Sequence, residues 1–314
     1  MKPIISIVSP VYGAESVVDE LVKRIIEEAV KITDNFEVIL VEDGSPDNCW
    51  QKIKENCFKD KRVKGVKLSR NFGQHFAITA GIDMSAGDYV VVMDCDLQDD
   101  PKYIHEMYKK VKEGFDIVYT VKESRKHSFF KNSTAILFNT VFNYLTENKS
   151  IKSDKNVGAY SMMSRKVAEA FKLYNDYNRH YLMVLRWLGF NSCFISIEHK
   201  ERFAGKSSYN FSKLLAHALD GITSQSDKLL KMFIKLGIFI SAISFLSILT
   251  IVFMYFSRGF MSGWTSIIIT ILFSTGIILT GIGVLGIYLG KTFEQTKNRP
   301  KYLVDEKLNL RISH

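Results

Sequence analysis

The 314-residue chain has only four cysteines, Cys49, Cys57, Cys95 and Cys193, and no C-x-x-C pair. A disulfide scaffold is therefore excluded, and reduced thiols in a cytosolic domain are expected. The seven histidines are dispersed and no H-E-x-x-H occurs, which leaves zinc hydrolysis without support. His75, His105, His180 and His217 are expected to pack or to face solvent. Only Gly13 follows the first apolar run, so the G-x-G-x-x-G dinucleotide fingerprint is missing. Gly205, Lys206 and Ser207 imitate the end of a phosphate-binding P-loop, but its first glycine would fall on Lys200. No signal peptide is expected, because the short apolar stretch Ile4 to Val8 runs into Pro10 and Glu15. The N-x-S/T triplets at Asn132, Asn148 and Asn210 carry no weight in a domain that faces the cytoplasm.

A net charge of +9 raises the question of nucleic acid. The lysines are scattered or lie beside apolar runs, with no aromatic-basic repeat, so nucleic acid is not the expected partner. Anionic lipid head groups and phosphorylated substrates fit better.

Charge is nearly missing from two stretches of the last ninety residues. Leu236 to Phe256 holds 21 residues without a formal charge, enough at about 1.5 Å per residue to span a hydrocarbon core of roughly 30 Å. Trp264 to Leu289 is longer still, and only Ser257 to Gly263 separates the two. Together they predict a two-helix transmembrane hairpin. Lys228, Lys231 and Lys235 precede it, Lys291, Lys297, Arg299 and Lys301 follow it, and the loop holds only Arg258. Both ends, and the large domain before them, are thereby assigned to the cytoplasm.

The first part of the chain alternates β-branched apolar runs, at Ile4 to Val8, Phe36 to Val41, Val63 to Leu68, Tyr89 to Met93 and Asp116 to Val121, with amphipathic stretches of helical length. That alternation predicts an α/β fold with a mostly parallel sheet covered by helices. Ser45 before Pro46 and Asp100 before Pro101 are expected to cap helices. Beyond Ser150 a strand is expected near Tyr160 to Met163, helices around Val167 to Leu173 and His180 to Leu188, and a strand at Phe194 to Glu198. Phe211 to Lys228 carries Leu214, Leu215, Ala218, Leu219 and Ile222 on one helical face and is expected to lie along a bilayer surface.

Ligands of open parallel sheets bind at the carboxyl ends of the strands, and the unusual residues lie there. Pro10, Val11 and Tyr12 follow the first run, Glu42 to Ser45 the second, and Asp94, Cys95 and Asp96 the fourth. Two carboxylates two positions apart repel unless a cation or a proton relieves them. Oxygen ligands of this kind favour Mg²⁺ or Mn²⁺, which keep positions open for phosphate oxygens. An isolated D-x-D is more often a solvated turn. Asp43 could accept hydrogen bonds from a base or ribose while Gly44 permits close backbone approach; an ordinary Asp-Gly turn explains it equally.

The ordered set P-V-Y (Pro10 to Tyr12), V-E-D-G-S-P-D (Val41 to Asp47), L-S-R-N-F-G (Leu68 to Gly73) and M-D-C-D-L-Q-D-D-P (Met93 to Pro101) resembles the family 2 glycosyltransferases. Closest are the membrane-anchored members that make polyprenyl-phosphate sugars, the dolichol-phosphate mannose synthase-like group. R-F-A-G-K-S-S-Y (Arg202 to Tyr209), A-L-D-G-I (Ala218 to Ile222) and the apolar hairpin extend the resemblance over nearly the whole chain. It implies a GT-A nucleotide-sugar-binding fold, with Pro10, Tyr12, Glu15 and Asp43 around the nucleoside of the donor. It places Asp94 and Asp96 on Mg²⁺ or Mn²⁺ with Gln98 assisting, and Arg202, Lys206 and Ser207 on phosphates of donor or lipid. Arg125, Lys126 and Lys131 are further candidates for the diphosphate, or a solvated helix face. Self-association is a further implication. Many polyprenyl-phosphate members carry an acid within the segment matching Val157 to Tyr160, where this chain has Ala159.

The expected layout is a catalytic domain over residues 1–210, an amphipathic juxtamembrane helix over 211–231, two transmembrane helices over 232–290 and a cytoplasmic tail over 291–314. The expected activity is inverting transfer of a sugar to a polyprenyl-phosphate carrier lipid, as in cell-envelope polysaccharide biosynthesis. Extension of a lipid-linked glycan is the nearest alternative, and a non-catalytic membrane-tethered scaffold the alternative of another class.

Overall fold

The computed structural model describes residues 2–122, 157–177, 179–198, 228–258 and 263–310. Arg125, Lys126, Lys131, Arg202, Lys206, Ser207 and the amphipathic stretch from Phe211 lie outside them. The chain divides into two compact units, one formed by residues 1–127, 153–208 and 299–314 and the other by 128–152 and 209–298.

The first unit is an eight-stranded sheet in the order β7-β5-β6-β4-β1-β2-β3-β8. Its centre is parallel: β1 (Ile5–Val11) lies between β2 (Phe36–Glu42) and β4 (Tyr89–Val92), and β2 also pairs with β3 (Val63–Leu68). β5 (Ile117–Lys122) runs parallel to β7 (Ser192–Ile197). β6 (Val157–Ser164) is antiparallel to both β4 and β5, and β8 (Val304–Leu308) is antiparallel to β3. The residues of β1 and β2 are buried throughout, which is why their sequences read as continuous apolar runs instead of alternating ones.

Helices cover both faces. On one, Leu21 and Ile25 of α1 (Val18–Ala29), Ile53 of α2 (Cys49–Lys59) and Met107 of α4 (Tyr103–Lys112) join a buried cluster with Ile5, Ile7, Val38 and Leu40. On the other, Ala77 and Ile78 of α3 (Gln74–Met84), Phe171 of α5 (Arg165–Leu173) and Val184 of α6 (Tyr181–Leu188) join a cluster with Val8, Ile39 and Val66. Gly81 lets α3 approach closely, since a Cβ there would stand 2.2 Å from Val8 Cγ1.

Several local expectations need correction. Pro10 and Val11 belong to β1, opposite Val41 and Glu42. β4 stops at Val92, opposite Val8, so the missing N–H of Pro10 faces no ladder acceptor and the strand passes through it. Ser45 does not cap α2, which begins at Cys49 after Asn48; its hydroxyl is taken by Asp47 and Gly13. The Asp100 carboxylate does accept the Lys102 N–H at 3.1 Å, but α4 starts only at Tyr103, beyond a turn at Pro101 and Lys102. The segment after the apolar stretches was expected only as a tail; five of its residues form β8.

In the second unit, α7 (Lys228–Arg258, 31 residues) and α8 (Trp264–Thr296, 33 residues) are long helices in contact with each other. Among the described residues one stretch, Phe273–Thr296, is long and apolar enough to cross a membrane by length and composition. Side chains such as Ile278, Leu279, Ile282 and Leu289 are exposed along it.

Candidate active site

The loops at the carboxyl ends of β1, β2, β3 and β4 are joined in a ring of hydrogen bonds. The Tyr12 N–H donates to the Cys95 thiol, linking the first loop to the fourth. Gly13 N donates to Ser45 Oγ at 2.8 Å, Glu15 N to Asp47 Oδ2 at 3.0 Å and Asn48 N to Glu15 Oε2 at 3.1 Å, linking the first to the second. The Asp43 carboxylate accepts Phe72 N at 2.7 Å and Gly73 N at 2.9 Å, linking the second to the third. Gln74 Nε2 donates to Asp94 Oδ1 at 2.7 Å and closes the ring.

Each link follows from the local sequence. Gly44 has φ +62, and a Cβ there would stand 2.2 Å from Asn71 N, so only glycine lets this turn lie against the Arg70–Asn71 backbone. The close approach foreseen at Gly44 is thus to the protein's own chain. Gln74 projects from the first turn of α3, immediately after Gly73. Leu97, buried between Asp96 and Gln98, holds φ +57, an uncommon conformation for a leucine. It reverses the chain so that Gln98 N donates to Asp96 Oδ1 at 3.1 Å.

The electrostatics are set by burial and crowding. Burial, and then the like charges of Asp99 and Asp96, push the Asp94 carboxyl up to about 6, against the opposing pull of Lys122 and the Gln74 hydrogen bond. Asp99 is buried and pairs with Lys122 Nζ at 3.1 Å. Burial also raises Asp43, although the Phe72 and Gly73 N–H groups favour its ionised form. Glu42, the last residue of β2, is raised by burial too; one oxygen accepts Ser45 N while Oε2 has no hydrogen-bond partner among the described residues. Burial pushes the Cys95 thiol up to about 12, so it is a neutral strut and not a nucleophile. All four cysteines are free.

Of the residues singled out from sequence, Tyr12, Glu15, Asp43, Asp94, Asp96 and Gln98 stand on the loops that the ring joins, with Pro10 buried in the strand beneath. Tyr12 is 53% exposed. Glu15 is engaged with the start of α2 through both its N–H and its carboxylate. Among the described residues no group of three or more His, Cys, Asp or Glu side chains is gathered as a metal cage. The donor set is a carboxylate pair, the kind that holds a hard cation through one or two protein oxygens and leaves the rest to phosphate and water. Sequence reasoning missed Gln74, Asp99 and Lys122. The signals for the first two were present, as the residue after L-S-R-N-F-G and as the third acid of D-C-D-L-Q-D; Lys122 had none, because its role depends on β5 lying near the β4 loop.

Comparison with known proteins gives these loops a context. The family profile described as Glycosyl transferase family 2 matches residues 6–171, just over half of the chain. An uncharacterised glycosyltransferase of Bacillus subtilis, YkcC, is 37% identical over 96% of this chain and 93% of its own length. The SfII prophage-derived bactoprenol glucosyl transferase of Shigella flexneri is 35% identical over 96% of this chain and 97% of its own. Among solved structures, residues 1–349 of Staphylococcus aureus TarS with UDP-GlcNAc cover 71% of this chain and 66% of that one at 16% identity and a TM-score of 0.47. Glucosyl-3-phosphoglycerate synthase of Mycobacterium tuberculosis with Mn²⁺ and UDP-glucose covers 71% and 77% at 15% identity and a TM-score of 0.48. Neither likeness is close enough to bear on the ligands of this chain. By the profile and by relatives more than 30% identical over almost the entire chain, this chain belongs to the family 2 glycosyltransferases and is a transferase.

Proposed function

We propose that the protein moves a sugar from a nucleotide-sugar donor to a polyprenyl-phosphate carrier lipid at the cytoplasmic face of a membrane, with inversion at the anomeric carbon. The observation that carries the reading is the crowding of Asp94 with Asp96 and Asp99 at the end of β4. Such a cluster is electrostatically costly unless a cation completes it. Asp94 and Asp96 would hold Mg²⁺ or Mn²⁺, with Gln98 assisting, and the ion when bound would neutralise charge on the donor's diphosphate.

The chain's own residues supply the positioning. The Tyr12 ring, fixed through its backbone to Cys95, offers a face for the nucleobase. Asp43 shapes the nucleoside pocket through Phe72 and Gly73, and each of its oxygens keeps a lone pair for a ribose or base donor. Glu15 and Pro10 hold the floor of the same loop. Arg202, Lys206 and Ser207 are assigned to the phosphates. An acceptor oxygen then attacks the anomeric carbon opposite the departing nucleoside diphosphate; the new sugar–oxygen bond forms as the bond to the diphosphate breaks. A phosphate acceptor is already ionised near neutral pH, so no strong general base is needed.

Two observations support the membrane and the lipid. The flanks of the helical segment, β7 and β8, belong to one sheet. If α8 crosses a bilayer, the chain must cross back between them, and α7 at about 46 Å is long enough for it. The bactoprenol glucosyl transferases of Shigella are similar over almost the entire chain, which favours a polyprenyl-phosphate acceptor. Ala159, in β6 where many such enzymes have an acid, favours the second reading, extension of a lipid-linked glycan.

Membranes containing the protein should be incubated with labelled nucleotide-sugars, with Mg²⁺, Mn²⁺ or chelator, and the labelled lipid extracted. Label in an acid-labile phosphate-linked monosaccharide is expected; label confined to a longer lipid-linked glycan supports the second reading. No label with any donor at any metal concentration would sink both.

A further inference from the structure

The acids crowded at the end of β4 are given different kinds of partner. Asp99, 1% exposed, receives the cation: Lys122 Nζ lies 3.1 Å from its Oδ1. Asp94 receives a neutral donor, the side-chain amide of Gln74, whose Nε2 lies 2.7 Å from Oδ1. A lysine or arginine bonded there would cancel the charge that a divalent ion needs and compete with it for the same oxygens. An amide N–H holds a carboxylate in place and leaves its formal charge uncancelled.

Asp94 needs such a hold. β4 ends at Val92, and Met93 N still donates to the Val8 carbonyl at 3.0 Å. Asp94 is the next residue, off the sheet, and the like charges of Asp99 and Asp96 act on it. A carboxylate free to turn would swing away from those neighbours, and so from a cation shared with Asp96. With Oδ1 tied to Gln74, the direction of Oδ2 is set as well, and Oδ1 keeps a second lone pair.

Gln74 can supply the hold because its own backbone is fixed. It is the first residue of α3, directly after Gly73, whose N–H donates to Asp43 at 2.9 Å and whose carbonyl accepts Phe76 N and Ala77 N at 3.0 and 3.1 Å. One turn on, Ala77 and Ile78 are buried against the sheet. A group that orients a metal-ligating side chain typically changes metal affinity about 10- to 100-fold when it is removed.

We propose that Gln74 is a positioning residue of the metal site, its amide fixing the Asp94 carboxylate in the orientation that receives a divalent cation. The inference rests on the reading of Asp94 and Asp96 as ligands of Mg²⁺ or Mn²⁺. Three consecutive residues then serve both parts of the donor: Phe72 and Gly73 hold Asp43 for the nucleoside, and Gln74 holds Asp94 for the ion on the diphosphate.

The test measures Mn²⁺ alone, without donor, on the full chain in detergent, with unbound Mn²⁺ read from its electron paramagnetic resonance signal. The difference between the wild-type chain and Asp94→Asn isolates the binding that depends on Asp94. Gln74→Met keeps the length of the side chain and removes its N–H, while Gln74→Ala removes both. In each, the Asp94-dependent dissociation constant for Mn²⁺ is expected to rise about tenfold or more, with the thermal unfolding midpoint close to that of wild type. Wild-type affinity in both variants overturns the role of Gln74 and leaves the carboxylate pair standing. Loss in Gln74→Ala but not in Gln74→Met, or loss that tracks a lowered unfolding midpoint, also overturns it and assigns Gln74 to the scaffold. Equal Mn²⁺ binding by wild type and Asp94→Asn overturns the metal reading itself, and the inference falls with it.

Discussion

The carboxyl-end loops of the sheet and its β3–β8 edge treat most of their carboxylates in opposite ways. At the loop end, Glu42, Asp43 and Asp94 are all held above their ordinary range by burial, and Asp94 by its acidic neighbours as well. Along the β3–β8 edge, Glu306 accepts hydrogen bonds from Lys54 and Trp50, which hold it below its ordinary range, and Asp305 pairs with Lys67 at 3.2 Å. The edge gathers cations around its acids, while the β4 loop gathers Asp94, Asp96 and Asp99 around one another. Asp47, on the β2 loop, is held below its ordinary range, against burial, by hydrogen bonds with Cys49, Ser45 and Glu15. Asp83, raised by burial beside Tyr302 and on none of these loops, shows that burial alone does not mark a site; the crowding of like charges around Asp94 is what distinguishes the β4 loop.

Breaking the loop end should cost activity. Asp94→Asn or Asp96→Asn is expected to lower transfer of labelled sugar roughly a thousandfold, while thermal unfolding of the full chain stays unchanged or moves up because repulsion is relieved. Near-normal turnover in either variant would remove the carboxylate pair from the mechanism. With Asp94 at about 6, its charged form dominates above that pH and is lost below it. Transfer at limiting metal should therefore fall about tenfold per pH unit below the midpoint, and the midpoint should move to lower pH as Mg²⁺ or Mn²⁺ is raised. A midpoint insensitive to metal concentration would assign the proton elsewhere.

Asp43→Asn tests the junction of function and scaffold. One of the Phe72 and Gly73 N–H groups would meet an amide NH₂ in place of an oxygen, so unfolding experiments should show a loss of about 2 kcal/mol, accompanied by a higher KM for donor. Asn309→Ala sharpens the other side. Its Nδ2 donates to the Cys57 and Val63 carbonyls at 2.7 and 2.8 Å, and its backbone holds φ +57, which alanine tolerates poorly, so the loss should be about 2 kcal/mol of stability, with the KM for donor unchanged. The smallest effect is expected from Glu42→Gln. A carboxyl raised on folding binds its proton more tightly in the native state, so stability falls as pH rises from the unfolded value through the folded one, and the penalty is complete above both. Glutamine should then stabilise the chain slightly at pH 7 to 8, and the gain should vanish as pH drops below the unfolded carboxyl range of about 4.3.

Much of the fold was legible because buried parallel strands must be apolar along their whole length, and the runs at Phe36 to Val41 and Val63 to Leu68 match β2 and β3 to within a residue. β8 was not legible. V-D-E-K-L alternates weakly and is charged, as befits an edge strand that borrows its ladder from β3 and its ion pairs from Lys54 and Lys67. The helix start at Ser45 was misplaced because a serine before a proline is a good cap in isolation, yet here Gly13 and Asp47 compete for its hydroxyl.

By itself the sequence determined the family, the alternation of strands and helices, the acidic loops and the apolar character of the late helices, since each is written in local composition or in short ordered motifs. Only the tertiary structure decided that those loops close into a ring through Tyr12–Cys95, Asp43–Phe72 and Gln74–Asp94, that Lys122 faces Asp99, and that the tail returns as β8. These are contacts between residues distant in the chain, and no local pattern encodes them because their energy exists only once the sheet has set its strand order.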